Sequence, residues 1–204
     1  MKADIFISHS HKDEKQAIGF AGWLWAKFKL RAFIDSGVWG YAGDLLRKID
    51  DEYCWDEENG FYSYQTRNYS TAHVHMMLNV ALTRMIDKVE CVILLNTPNA
   101  ITSKEVGTRT NSSWIYSEIV ITEVIRKKKL SEYRRGQTIL MEQKSYNNQL
   151  NIDYNVQLSH LRELTDYELN RWEKSVPSQM LIQEVVDRSR VYALDKLYNI
   201  SGIL

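Results

Sequence analysis

The amino-acid sequence predicts an α/β fold in which a central parallel sheet is covered by helices on both faces. Three apolar runs, over residues 5–7, 30–35 and 91–95, have the length and composition of buried strands. Between them, apolar residues recur at the three- and four-residue spacing of amphipathic helices. Strands that alternate with helices favour parallel pairing through right-handed crossovers.

Composition limits the number of domains and the kinds of partner. The chain has 204 residues, of which 44% are hydrophobic, enough for one well-cored domain. The formal net charge of +0 provides no basic field for nucleic acid or an anionic membrane. The N-terminus leads directly into an apolar strand instead of a signal peptide, and no apolar run approaches the roughly 20 residues of a membrane span. We therefore expect a cytoplasmic protein that binds neither nucleic acid nor membrane.

The first part of the chain follows a βαβα pattern. The first strand ends in a polar loop, Ser8 to His11, and Asp13 is expected to cap the next helix. The second strand ends at Asp35. A glycine-rich segment, 36–43, is predicted to be a flexible loop, and a helix begins at Asp44.

Residues 55–70 interrupt this rhythm, because they are rich in Tyr, Asn, Asp and Glu and show no clear period. We interpret them as an inserted loop or lid. Helical spacing returns over 74–86, and the loop 96–112 follows the third strand. A fourth strand is predicted over 138–141.

The rest of the chain is expected to be mainly helical. The polar segment 143–155 has room for a short edge strand, and Leu158, Leu161 and Leu164 form one apolar stripe. Thr165 with Glu168 fits a capping box, and a long helix is expected after Pro177. We therefore divide the chain into a domain over 1–142, with the insertion at 55–70, and a mainly helical C-terminal extension over 143–204 that packs on the same domain.

A helix beginning near residue 113 displays one carboxylate beside one indole. Asn111 to Ser113 provide candidate N-caps, and basic residues at 126–129 follow the helix. Trp114 and Glu118 are four residues apart, so they lie on one side of the helix and can act on one ligand. In the alternative interpretation, Trp114 packs in the core and Glu118 is a solvated surface acid.

The predicted topology brings these residues towards one crevice. With a flavodoxin-like strand order, the first and third strands flank the point where the winding reverses, and ligands bind there at the carboxyl ends of strands. The loop after the first strand carries His9 and His11, and the loop after the third leads to Trp114 and Glu118. Asp35 and the 36–43 loop are expected to form the rim.

Two other ligand sites fit less well. A zinc site would need His9, His11, His73 and His75 with the two cysteines, but His73 and His75 point to different sides of a helix. Cys91 lies in a predicted buried strand, far in sequence from Cys54, so a disulfide is also not expected. A dinucleotide-binding site is the second of these. Its glycine fingerprint would follow the first strand, whereas the glycines of 36–43 follow the second.

Three motifs, in order, resemble the Toll/interleukin-1 receptor (TIR) domain family of the bacterial type. Residues 4–10 with 12–14 resemble its opening strand and first loop. Residues 33–35, followed by 43–46, resemble its second strand, exposed second loop and following helix. Residues 113–119 resemble its Ser-x-Trp-x-x-x-Glu-Leu signature.

The resemblance covers roughly residues 4–130 and implies a three-layer, flavodoxin-like TIR fold. The chain departs from the family in the 55–70 insertion, in the segment beyond Lys129, and at His9, where animal members often have an aromatic residue. The first two departures concern substrate preference and assembly more than fold.

The activity implied by the resemblance is cleavage of the nicotinamide–ribose bond of NAD+, with NAD+ as substrate and neither cofactor nor metal. Glu118 would be the catalytic group, because a carboxylate stabilises the positive charge of a ribosyl cation. Trp114 and Trp39 are candidates to stack on the rings of the substrate, and Ser8, His9 and His11 to bind phosphate or ribose. His11 is a weaker candidate for a general acid, since nicotinamide leaves as a neutral molecule.

The resemblance also implies self-association into a homo-oligomer. Beyond the TIR-like region the chain shows no effector motif, so we expect either NAD+ depletion or a signalling ADP-ribose derivative that reaches a separate effector protein, as in antiphage systems of the Thoeris type. Two alternatives are a nucleoside deoxyribosyltransferase-like enzyme, which also uses a Glu at a ribosyl carbon, and a TIR adaptor without enzymatic activity.

Overall fold

The computed structural model describes residues 3–34, 36–57, 59–104, 107–134, 154–177 and 186–203. The helices and strands are, in chain order, β1 (Ile5–Ser8), a 3-10 turn (His11–Asp13), α1 (Glu14–Phe28), β2 (Ala32–Ile34), α2 (Ser36–Tyr53), β3 (Trp55–Asp56), β4 (Phe61–Tyr62), α3 (Tyr64–Lys88), β5 (Cys91–Leu94), β6 (Thr102–Lys104), β7 (Gly107–Thr110), α4 (Ser113–Val124), α5 (Leu130–Tyr133), β8 (Tyr154–Asn155), α6 (Asp166–Ser175) and α7 (Val186–Ile200). The predicted α/β class is confirmed.

Within the described residues, the central sheet has three parallel strands in the order β2-β1-β5. Phe6 in β1 is in register with Phe33 on one side and with Val92 on the other. If the parallel strands alone are numbered in chain order, β5 is the third of them, so the order across the sheet is 2-1-3. The first and third parallel strands are therefore neighbours, and their carboxyl ends lie at the same edge of the sheet.

The alternation of side chains along β1 builds two cores, one on each face of the sheet. Ile5 and Ile7 pack in a first core with α1, α6 and α7. Phe6 points the other way, into a second core with α3 and α4. All four residues of β1 are buried, as in a strand covered on both faces. Ser8 has the same phase as Phe6, so its side chain points towards the helices of the second core.

The segment after residue 154 completes the first core. The buried Trp172 of α6 stacks on Phe28 of α1 with ring centroids 4.1 Å apart. Its Nε1 donates a hydrogen bond to the carbonyl oxygen of Ala193 in α7 at 2.7 Å. Leu194 and Leu197 of α7 contribute to the same core. Helices distant in sequence thus cover one face of the sheet together with α1.

A charged network joins α7 to the start of β5. Arg134 donates to both carboxylate oxygens of Glu90, at 3.1 and 2.8 Å, and to Asp195 at 2.8 Å. The hydrogen bond with Glu90 raises the pKa of Arg134. Burial raises the pKa of Tyr198, whose hydroxyl also donates to Glu90, and raises the pKa of Cys91 to about 12. Arg134 therefore stays charged at neutral pH, and Tyr198 and Cys91 stay neutral.

Several predicted loops have regular structure. The segment 36–43, predicted as a loop before a helix at Asp44, is the start of α2, which begins at Ser36. Trp55–Asp56 and Phe61–Tyr62 pair as the strands of the β3–β4 hairpin, and α3 begins at Tyr64, so the predicted 55–70 loop is also wrong. The β6–β7 hairpin lies within the predicted 96–112 loop.

The C-terminal predictions have mixed outcomes. The capping box of Thr165 and Glu168 is confirmed at the start of α6. A short edge strand is also confirmed, because Tyr154 and Asn155 of β8 pair with β7. The stripe at 158–164 is not helical, since α6 begins only at Asp166. The predicted strand 138–141 lies outside the described residues.

The helices described here include none with the length and apolar composition needed to cross a membrane.

Candidate functional site

The centre of the candidate site is a hydrogen bond between the end of β1 and the middle of α4. The Ser8 hydroxyl donates to Oε2 of Glu118, with 2.5 Å between the oxygens. Only 2% of Ser8 and 1% of Glu118 are exposed. A carboxylate is therefore held at the carboxyl end of β1, the central strand of the sheet.

The sequence of α4 explains why Glu118 points inward. Ser112 caps the helix by accepting a hydrogen bond from the backbone nitrogen of Ile115, which confirms an N-cap within 111–113. Ile115 and Ile119 pack in a third core with Ala100 and Ile101. Glu118 is within one turn of both isoleucines on the buried side of the helix. It is therefore not a solvated surface acid.

The two histidines of the first loop differ in environment. His9 follows Ser8 directly and is buried, with Nδ1 3.4 Å from the carbonyl oxygen of Ile7. His11 is exposed at the start of the 3-10 turn. His9 thus belongs to the buried end of β1, whereas His11 is available to a ligand approaching from solvent.

Trp114 lies at the interface between α3 and α4. It is partly buried and packs against the second core, which includes Phe6 and Leu82. Its ring stacks on that of His75 with centroids 5.5 Å apart and an interplanar angle of 29°. The core-packing interpretation thus accounts for much of the Trp114 surface, and His75 covers one ring face that a ligand would use.

The other two predicted site residues cannot be placed in the crevice by their side chains. Asp35 lies outside the described residues. Trp39 is in α2 and not in a loop, and its side chain is also outside the described part of the chain.

A polar cluster that the sequence did not predict supports the site. Asp13 was expected to cap α1 with its side chain, but it makes no side-chain capping bond. Its buried carboxylate instead accepts hydrogen bonds from the Thr97 hydroxyl and from Nδ2 of Asn99, the latter at 2.7 Å. Two side-chain hydrogen bonds therefore connect the loop after β1 to the loop after β5.

This cluster also bears on α4. The turn that begins at Thr97 leads into Ala100 and Ile101, whose backbone nitrogens both donate to the carbonyl oxygen of Thr97. These two residues pack on Ile115 and Ile119, on either side of Glu118. A polar Thr-Pro-Asn turn directly after a buried strand was the available signal in the sequence.

Comparison of the chain with protein-family models, with curated proteins and with solved structures finds no match. The functional interpretation therefore depends on the geometry of the site and on the motif resemblance.

The chemistry available at the site follows from its donor set. In the part of the chain that the structure describes, no group of three or more His, Cys, Asp and Glu side chains is arranged to hold a metal ion. The site instead provides a fixed carboxylate, a hydroxyl that orients it, and the buried side chain of His9, the residue that follows Ser8. A carboxylate in a dry, preorganised setting can stabilise a positive charge that develops close to it.

Proposed function

We propose that the chain is a TIR-type enzyme that cleaves the nicotinamide–ribose bond of NAD+, with Glu118 as the catalytic carboxylate. The observation that carries the proposal is the hydrogen bond of 2.5 Å from Ser8 to Glu118 at the carboxyl end of β1. It joins the first and third motifs of the resemblance at the edge of the sheet where α/β proteins bind ligands.

The strand order also supports a flavodoxin-like TIR fold. The parallel strands have the order 2-1-3, as at the start of the flavodoxin-like order 2-1-3-4-5. The first motif lies on β1, the second spans β2 and α2, and the third opens α4.

The proposed reaction needs no proton transfer to the leaving group. The bond between ribose C1′ and the nicotinamide nitrogen breaks, its electron pair stays on nitrogen, and neutral nicotinamide leaves. The ribosyl centre acquires oxocarbenium character, which the Glu118 carboxylate stabilises while Ser8 holds its orientation. Attack by water at C1′ gives ADP-ribose and releases a proton, whereas attack by an adenine nitrogen or a hydroxyl of the same molecule gives a cyclic product.

We further propose that the product is a signalling ADP-ribose derivative of the kind used in Thoeris-type antiphage defence. The β3–β4 hairpin exposes Trp55, Phe61 and Tyr62, which are apolar enough to exclude water if they cover bound substrate. Mass spectrometry of the products tests this part: linear ADP-ribose with nicotinamide and no cyclic or conjugated species would leave simple NAD+ depletion.

The test of the proposed activity is incubation of the purified protein with NAD+ and, in parallel, with deoxynucleosides. Release of nicotinamide is expected in the first reaction and no base exchange in the second. Base exchange without nicotinamide release would instead favour a deoxyribosyltransferase. Inactivity in both reactions over a wide range of protein concentration would favour the non-enzymatic adaptor.

A further inference from the structure

Helix α3 is apolar on two opposite faces. One face is buried in the molecule, where Leu82 and Ile86 belong to the second core. On the opposite face, the side chains of Tyr69, Met76 and Val80 are exposed to 68%, 67% and 43%. A helix that is apolar on both faces normally packs against neighbours on both.

The exposed residues have the spacing of a coiled-coil seam. Tyr69, His73, Met76 and Val80 are separated by four, three and four residues, the alternation of d and a positions in a heptad. At 100° per residue they fall within about 60° of the helix circumference. The Tyr69 and His73 rings are in contact, with centroids 4.3 Å apart. We call these four residues the α3 stripe.

We propose that a second copy of this chain covers the α3 stripe, with the two α3 helices antiparallel about a two-fold axis. In this arrangement Tyr69 faces the partner's Val80, and His73 faces the partner's Met76. Every layer then combines a d position with an a position, as in antiparallel coiled coils. A two-fold interface uses the same patch on both subunits, which suits a stripe without Asp, Glu, Lys or Arg.

The seam position one heptad beyond the stripe decides between antiparallel and parallel pairing. One heptad beyond Val80 is Asp87, which forms an ion pair with Lys128. In a parallel pair, Asp87 would face the partner's Asp87, and like charges placed together disfavour that arrangement. In the antiparallel pair, Asp87 lies beyond the end of the partner's stripe. The residues that flank the stripe, Ala72 and Met77, carry no charge and add no like-charge contact.

The stripe is small for a permanent interface. A standard interface uses roughly 20–30 residues a side, whereas this one is built around four. We therefore expect a dimer that dissociates at micromolar concentration. Helix α3 also contacts α4 beside the stripe, where the Ser117 hydroxyl donates to Oδ1 of Asn79 at 3.3 Å. Dimerisation would therefore restrict the movement of α3, the helix against which α4 packs. The interface itself does not depend on the proposed function.

Sedimentation equilibrium of the full chain over a wide concentration range tests the proposal. The wild type should dimerise, and Met76→Glu should weaken the dimer about 30-fold or more, the loss typical of a central anchor. The matched control is Ile18→Glu on α1, an aliphatic residue that is 55% exposed and lies outside the stripe. It should dimerise like the wild type. A monomeric wild type would overturn the proposal and leave the stripe to a different partner, as would equal effects of the two variants.

A pair of opposite charges tests the direction of the helices. Tyr69→Lys and Val80→Glu should each weaken the dimer, and the double variant should dimerise more tightly than either because positions 69 and 80 face each other across the axis. Circular dichroism checks that each variant is folded. A double variant no tighter than the singles would overturn the antiparallel arrangement.

Discussion

At the residue scale, the contact between Ser8 and Glu118 follows from the phases of two elements. Ser8 points towards α4 because it is two residues beyond Phe6 on β1. Glu118 points towards β1 because its neighbours on the helix, Ile115 and Ile119, are buried. Neither side chain needs the other to be oriented in this way, so the hydrogen bond is available before any ligand binds.

Ser8→Ala should reduce nicotinamide release about tenfold through kcat, with little change in KM. Loss of one hydrogen bond to a charged group costs about 1.5–3 kcal/mol. Steady-state kinetics of the purified variants measures the effect. The control is Ser70→Ala, which removes a buried serine that donates to Asp50 at 2.9 Å. Equal rates for Ser8→Ala and the wild type would contradict the orienting role.

Asp13 is a positioning residue, and exchange of its side chain with that of Asn99 tests this role. Asp13→Asn and Asn99→Asp should each lower kcat about tenfold, because each loses the match between amide donor and carboxylate acceptor. The double variant reverses donor and acceptor and should recover most of the activity. Double-mutant kinetics gives the coupling. A double variant as impaired as the singles would argue for independent effects.

At the element scale, strands marked by a continuous apolar run were predictable from the sequence. Segments whose structure depends on contacts with distant residues were not. The apolar runs that became β1 and β5 lie within one residue of their predicted bounds, and β1 is buried while β5 is partly buried. The glycines of 36–43 suggested a loop, but a glycine costs only about 1 kcal/mol in a helix and does not forbid one. The stripe at 158–164 has helical spacing, yet the backbone just before it is bonded to β7 through Val156 and Thr108.

The network that joins β5 to α7 should be important for stability. Arg134→Gln should lower the free energy of unfolding by about 2 to 3 kcal/mol, because it leaves Glu90 without its charged partner; partial exposure of Arg134 keeps the cost below that of a fully buried pair. Urea denaturation measures the change. Arg126→Gln, at an exposed ion pair with Glu132, is the control and should cost less than about 1 kcal/mol. Similar losses for the two variants would contradict the structural role of Arg134.

At the scale of the whole molecule, the approach of Glu118 to the carboxyl end of the first strand was predictable, but the contacts that support the candidate site were not. The carboxyl end of the first strand and Glu118 were identified from topology and helical spacing, and they are in contact. Asp13 was assigned a local capping role because its partners, Thr97 and Asn99, are more than 80 residues away in sequence. Such partners cannot be inferred from local patterns. The predicted roles of Asp35 and Trp39 stay predictions.

The C-terminal segment should be required for folding of the whole chain. A fragment of residues 1–142 lacks α6 and α7, so Ile5, Ile7 and Phe28 would lose much of the cover of the first core. The fragment should therefore show little cooperative thermal unfolding by circular dichroism and rapid cleavage by protease. A fragment that unfolds as cooperatively as the full chain would contradict this prediction.

The most direct measurement of the proposed chemistry is nicotinamide release by Glu118→Gln. Glutamine keeps the volume of the side chain and can still accept the hydrogen bond from Ser8, so only the charge facing the ribosyl centre is removed. The variant should be folded and should lose activity by about 100-fold or more, as expected for one preorganised electrostatic group. Glu123→Gln, on the exposed side of the same helix, should release nicotinamide like the wild type. A Glu118→Gln protein that turns over NAD+ at nearly the wild-type rate would contradict the assignment of Glu118 as the catalytic carboxylate.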